Sequence, residues 1–576
     1  MLKRVGWGLS LVAFAAIPLV GCEESIDGDV ADTVLVNGKV VTVDAALPEA
    51  EAVAIKGYTI LAVGTSDEIS ELIGPETEIV DLEGQLAIPG FVEAHGHWMS
   101  LGQSKLVLDL TQARSWDEIV AMVGDAVAET EPGEWILGRG WHQEKWDQVP
   151  VPNVDGVPIN TSLTAASPDN PVNLTHASGH ASFANAMALE LGGIDASTAD
   201  PAGGTIVKDA SGRPTGLLRE TAQRLVGRAI AHSREGLSAE EVELEAREAV
   251  RLAGEDALSK GVTSFHDAGS DFATIDFFKK LEEEGGLPLR LYVMVRRESN
   301  EDMAEKLPQY KMLPEGNDFL TVRSIKRQVD GALGAHGAWL LEPYEDHEST
   351  GLVLEPLEDI MGTARVAIQH GFQVNTHAIG DRGNQEILDL YQEAFEEASV
   401  LGEDLRWRIE HAQHLRPEDV GRFVELGVIP SMQGIHCTSD APWVYQRLGA
   451  ERAESGAYLW RDLIDSGAVV NNGTDTPVED VDPIPSFYAS VTRIMPNGEV
   501  FFPEQAMTRE EALRSYTING AYSAFEEDVK GSLTPGKYAD IVVLSKDIMT
   551  VPAEEIPTAE VVYTIVGGEI RYRRGN

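Results

Sequence analysis

Apolar positions fall into two rhythms along this chain. In the first stretch, short apolar runs alternate with polar residues and turns, at 33–36, 39–43, 52–55, 59–63 and 78–82. Such runs predict strands, and Asn37-Gly38 is a hairpin signal between the first two. The C-terminus has the same character, with runs at 539–544 and 561–566, a Gly567-Gly568 turn, and 569–572. Neither end has enough strands for a stable sandwich alone. Together they do, so 23–85 and 528–576 are expected to form one small β-sandwich built from both termini. The middle alternates strand and helix. Strand runs at 86–93, 262–266, 289–295, 322–329, 373–377, 406–410, 428–432 and 468–472 are separated by helical patterns such as 239–260, 358–370, 384–398 and 417–426. Eight such units predict an α/β fold, a (β/α)8 TIM-like barrel over 86–527. The gap after the first strand is far too long for one helix. An insertion of about 105–230, carrying Trp135, Trp141 and Trp146 among Gly/Pro turns, is expected there.

The N-terminus adds an address. Lys3 and Arg4 precede an uncharged apolar run from Val5 to Val20, short of the roughly 20 residues of a membrane span. Residues 1–22 read as a signal peptide. Leu19-Val-Gly-Cys22 resembles the bacterial lipobox, which implies cleavage before Cys22 and lipidation of its thiol. An ordinary signal cleaved nearby is the alternative. A lipidated chain would be exported and anchored to a cell-envelope membrane, on a periplasmic or extracellular face, without spanning it. Cys437 is the only other cysteine, so no intramolecular disulfide is expected. It reads as a structural or passively lining thiol.

Composition narrows the partners. Hydrophobic residues make up 43% of the 576, enough for a sizeable core. The formal net charge of −49, from 94 acidic and 45 basic residues, repels phosphate backbones and argues against nucleic-acid binding. It reads as a solvated acidic surface suited to salty surroundings. Self-association as a homo-oligomer is left open.

The chemistry begins at Pro89-Gly-Phe-Val-Glu-Ala-His95-Gly-His97. Two histidines one residue apart on extended chain point the same way, so both imidazoles can reach one metal ion. Downstream, Lys326, His377, His411 and Asp475 each lie in or at the end of an expected strand. In a barrel, strand C-termini converge on one mouth, and imidazole with carboxylate suits Zn²⁺ and related divalent ions.

These strings resemble the amidohydrolase superfamily and, within it, amidohydrolase family 3, which includes N-substituted formamide deformylase. The resemblance runs through the strand-one signature, Ser178-Gly-His180 with Asn185-Ala-Met-Ala-Leu, Pro214-Thr-Gly-Leu-Leu-Arg-Glu220 and Asp330-Gly-Ala-Leu-Gly. It continues in Asn375-Thr-His377-Ala-Ile-Gly-Asp381-Arg382, Arg408-Ile-Glu-His411-Ala-Gln413, Gly473-Thr-Asp475-Thr-Pro-Val and Gly531-Ser-Leu-Thr-Pro-Gly-Lys537-Tyr-Ala-Asp540. It implies one or two metal ions per chain, with His95, His97 and Asp475 on the more buried one and His377 and His411 on the second. Lys326 would bridge them as a carbamate; an unmodified lysine that points elsewhere or binds substrate is the alternative. His180 would contact substrate from the insertion, where residues alone equally suggest a loop hydrogen bond. His266 and His336 are candidates to line the pocket. Arg382 would bind a substrate carboxylate or brace its loop. Trp98, Trp141 and Trp146 would line a pocket or pack the core, and for Trp146 packing is preferred. His142, His176, His232, His347, His370, His414 and His436 read as surface or structural residues.

The function expected is metal-dependent hydrolysis of non-peptide carbon–nitrogen bonds in small-molecule amides. Metal coordination lowers the pKa of water toward ~7, and Asp475 would take a proton from it and hand it to the leaving amine. The insertion, with Trp141 and His180, would fold over the mouth and favour small amides with apolar or aromatic substituents. The alternatives are a lactonase, esterase, phosphotriesterase or isomerase on the same scaffold, or a non-catalytic binding lipoprotein, which the intact ligand set argues against.

Overall fold

The eight central apolar runs become the eight parallel strands of a barrel. They are β1 Phe91–Gly96, β2 Val262–Ser270, β3 Arg290–Val295, β4 Leu320–Gln328, β5 Gln373–Ala378, β6 Arg408–His411, β7 Ile429–Gln433 and β8 Asn471–Gly473. Each pairs in parallel with the next. The ring returns on itself where Asp475, just past β8, donates its N–H to the carbonyl of His95 at 2.8 Å. The coordinates are those of a computed structural model and describe residues 30–575; the signal segment and Cys22 lie outside them.

Helices follow the expected periodicity. Ala239–Ser259 opens on a capping box, with the Ser238 hydroxyl accepting from the Glu241 N–H and the Glu241 carboxylate accepting from the Ser238 N–H. Leu357–His370 and Asp381–Ala398 follow their strands, and the pattern at 417–426 begins as a single 3₁₀ turn, Pro417–Asp419, before Val420–Leu426.

Two expectations are corrected. The run at 86–93 is not one strand: Leu86–Pro89 pairs with Lys39–Val41 and Ile541–Leu544 in a terminal sheet, and only Phe91 onward enters the barrel. A continuous apolar run carries no mark of which sheet it joins. The divide falls at Gly90, where any Cβ would collide with Thr263. Asn37-Gly38 does not close a hairpin either. Asn37 takes the left-handed conformation a turn needs (φ 57°), but Thr33–Val36 pairs with Ala52–Lys56 and Glu78–Asp81, while Lys39–Val41 crosses to the other sheet. The C-terminal hairpin does form. Val561–Val566 and Glu569–Arg573 are antiparallel around Gly567 and Gly568, both at positive φ.

The terminal sheets have four and six strands. Their shared core joins Leu35, Val40 and Val53 to Ile541, Val543 and Ile565, so the sandwich is built from both ends of the chain. The insertion after β1 folds on a six-stranded sheet that includes Ile136–Trp141, Val172–His176, Ala181–Ala184 and Pro214–Glu220. Trp116, Trp141, Trp146, Leu174 and Phe183 make a separate core for it.

Candidate active site

β1 delivers His95 into the barrel interior, fully buried. His97 follows where the chain leaves the strand. Asp475 meets both, with Oδ1 3.1 Å from His97 Nε2 and 3.5 Å from His95 Nε2. Ligand atoms of these three residues all lie within 4.8 Å of one another. Lys326 Nζ is 3.2 Å from His95 Nε2. The rings of His95 and His411 are 4.7 Å apart, those of His411 and His377 4.3 Å, and those of His377 and His180 5.8 Å. One file of imidazoles therefore runs from β1 to the insertion.

Backbone strain aims two of these groups. On β6, strict alternation puts Arg408 and Glu410 on one face and would turn His411 to the other. His411 instead adopts φ 75°, and Asp475 adopts φ 57°. Non-glycine residues rarely enter this region, and here both departures turn side chains toward the mouth. Two of the rings are then held from behind. His95 Nδ1 donates to Glu410 Oε2, and His411 Nδ1 pairs with Gln433 Oε1 at 2.8 Å. His377 Nε2 lies 3.5 Å from Asp330 Oδ1. The Asp330 carboxylate already accepts the N–H groups of Trp339, Ile379 and Gly380 at 2.8–2.9 Å.

The electrostatics follow. Burial pushes His95 down to about 4, helped by the Lys326 charge, so its ring is neutral, with the Nε2 lone pair facing Lys326 Nζ. Burial brings Lys326 down to about 8. Burial alone would raise Glu410, but His95, Lys326 and Arg408 outweigh it and bring that carboxyl to about 2. Asp475 is likewise held well below the ordinary carboxylate range, against burial, by His97, His95 and His411. Burial works against a charge on His180, but Glu220 raises its pKa above the usual value.

The donor set fits a metal ion. His377 Nε2 is buried with no hydrogen-bond partner among the described residues, a cost that coordination would remove. Neutral imidazoles backed by a carboxylate or an amide oxygen are the usual form of such ligands.

Above the file lies a cavity of about 140 Å³, lined by Asp475, His377, His411, His180, Trp141 and His336 among the anticipated residues. Trp141 touches it only at an edge: its ring is 1% exposed, packs edge-on against His176 and donates Nε1–H to Leu174 O at 2.8 Å. His336 pairs with Asp346 at 3.1 Å. Two candidates do not reach the cavity. His266 is fully buried in the barrel, with Nδ1 3.2 Å from Arg408 Nη1. Arg382 lies over Trp339 and 3.3 Å from Glu386, so it braces its helix. His142, His176 and His436, read above as surface or structural, line the cavity instead. They sit on the insertion and at the start of the helix after β7, whose meeting no local pattern announces. Trp443, whose ring is 5.0 Å from that of His142, was not anticipated, nor were Glu410, Gln433 and Glu220 as partners of the histidines. Period-two spacing from Arg408 was the available signal for Glu410. Cys437 is buried, its thiol pushed up to about 11 by burial, which suits an inert structural role.

A parallel eight-stranded barrel with histidines and an aspartate gathered at its mouth defines the class of metal-dependent barrel hydrolases. Residues 78–572 match the amidohydrolase family, and the chain belongs to that family. It is thus a hydrolase acting on carbon–nitrogen bonds other than peptide bonds. It is 34% identical over 560 residues to Protein LONG AFTER FAR-RED 3 of Arabidopsis thaliana, covering 95% of this chain and 92% of that one. It is 27% identical over 552 residues to the N-substituted formamide deformylase of Arthrobacter pascens, covering 94% and 98%. The crystal structure of an uncharacterized metal-dependent hydrolase from Pyrococcus horikoshii OT3 superposes with a TM-score of 0.70 at 28% identity, over 91% of this chain and 99% of that one.

Proposed function

We propose that the protein hydrolyses amides of small molecules at the meeting point of His95, His97, His377, His411 and Asp475. The observation that supports this most is the approach of His95, His97 and Asp475 to within 4.8 Å, next to a cavity of small-molecule size. These three would hold one divalent ion, His377 and His411 a second, and Lys326 would join them as a carbamate. Zn²⁺ suits the donors. A metal ion there would supply Lewis acidity at the substrate carbonyl and a water acidic enough to ionise near neutral pH.

The chain's own groups do the rest. Asp475, ionised and at the mouth, takes the proton of the attacking water. Glu410 holds the His95 Nδ1–H and so fixes the tautomer whose Nε2 faces Lys326 and Asp475. Trp443, His142 and Leu217 offer an apolar and aromatic wall, suited to an apolar or aromatic substituent and too confined for a folded polypeptide. By its sequence, the mature protein begins at a lipidated Cys22 and works at a membrane surface.

The test is a panel of N-formyl, N-acetyl, cyclic and amino-acid amides, set beside esters, lactones and phosphotriesters, with Zn²⁺-reconstituted protein. At least one amide class should turn over and stop when the metal is stripped. Turnover confined to lactones or phosphotriesters, or full amide turnover without metal, would overturn the reading.

A further inference from the structure

His180 stands on the insertion and lines the substrate cavity, its ring 5.8 Å from that of His377. Its Nδ1 lies 3.0 and 2.9 Å from the two oxygens of Glu220, a bifurcated contact that fixes the proton on that nitrogen. The ring lines the cavity, so Nε2 is the nitrogen left to serve it. Glu220 is held with unusual care. Its side chain is 6% exposed. Its own N–H donates to the His180 carbonyl at 2.8 Å, and its backbone sits at φ 50°, a region non-glycine residues avoid. Gly331 and Gly337 press against it: a Cβ on either would lie 2.5 or 2.8 Å from Glu220 Oε1. A loop of the barrel thus cradles a carboxylate of the insertion, whose side-chain hydrogen-bond partner among the described residues is a cavity histidine. Strain and close packing of this kind persist where a geometry is over-determined.

We propose that Glu220 is a positioning residue that makes His180 the general acid for the leaving nitrogen. This rests on the amide-hydrolase reading above. Asp475 engages His95 and His97 on the barrel side, whereas His180 reaches the same cavity from the insertion, beside His377. Water attacks the carbonyl carbon and gives a proton to Asp475. The C–N bond then breaks, its electron pair stays on nitrogen, and nitrogen takes the proton from His180 Nε2. His180 is left neutral, with Nδ1–H still on Glu220. Asp475 loses its proton to solvent and His180 regains one from solvent, so the net reaction consumes one water. An amine must be protonated to leave, and a placed acid contributes about 10²–10⁴-fold.

Leaving-group dependence is the test. Zn²⁺-reconstituted wild type, Glu220→Gln and His180→Gln are assayed on N-alkyl amides and p-nitroanilides of one acyl group, with metal content and thermal unfolding measured in parallel. Nitroaniline leaves with far less help from a proton. Both variants should lose about 100-fold in kcat on alkyl amides and only a few-fold on nitroanilides, with metal content unchanged. Equal loss on both substrates, or none on alkyl amides, would overturn the proposal. If Glu220→Gln fails to fold, the His180→Gln ratio decides alone. A wild type that cleaves neither substrate class, nor any amide, would instead count against the parent reading.

Discussion

The histidines of this site gain their direction from neighbours that bear no metal-ligand signature. Glu410 accepts the Nδ1–H of His95 from two residues along β6 from Arg408, which in turn donates Nε–H to Ser523 O at 3.1 Å. His97→Ala removes one of three converging ligand atoms, so purified protein should lose most of its metal along with its rate, as read by elemental analysis and kcat. Glu410→Gln leaves all ligands in place but loosens the His95 ring. Metal affinity should fall about 10–100-fold, measured by chelator competition. At Lys326, the carbamate reading predicts that Lys326→Ala is inactive and partly rescued by short carboxylic acids supplied with metal. A rescue profile flat across acids and concentrations would count against the bridge.

At the scale of elements, the proposed function gives the insertion the task of deciding which substrates enter. Trp443, on the helix Ala441–Gly456, meets His142 of the insertion, their rings 5.0 Å apart. Trp443→Ala should lower kcat/KM for amides with aromatic substituents about 10-fold relative to methyl analogues, with metal content unchanged; an unaltered ranking across the panel would remove the wall from the pocket. The elements themselves were legible where periodicity is local. Barrel strands, their helices and the histidines at strand ends follow from runs and spacing. What was not legible depends on departures from that regularity. His411 and Asp475 turn inward through positive φ, which no residue type announces outside glycine and asparagine. Gly90 divides one apolar run between two sheets. His142, His176 and Trp443 become neighbours only because the insertion folds back on the barrel mouth, a meeting of segments some 300 residues apart.

For the whole molecule, the sandwich and the barrel are joined by a buried ion pair. Arg290, at the start of β3, donates Nε–H to Asp540 Oδ2 at 2.8 Å, with both side chains about 5% exposed or less. Asp540 also accepts the Gly567 N–H at 2.8 Å, and its carbonyl accepts from Gly90. Arg290→Ala strands that carboxylate in the interface and should cost about 3–5 kcal/mol of stability, read from denaturant melts of the metal-loaded protein. At the far N-terminus, Cys22→Ser should release the protein from membranes or stop its processing, as fractionation and the mass of the mature chain would reveal; wild type found wholly soluble, starting at another residue, would set the lipid anchor aside.

The crossing at Gly90 has a further consequence, for the order of assembly during synthesis. β1 carries the first ligand pair, yet the strand that feeds it, Leu86–Pro89, is paired with Ile541–Leu544. His95 and His97 therefore leave the ribosome more than 440 residues before one of the two strands that flank Leu86–Pro89. A nascent chain should hold these imidazoles more loosely until its end emerges, and chains cut short before residue 541 should bind metal weakly even with every ligand present. The last strands thus act as a completeness check on the site, set by topology rather than by any contact with substrate.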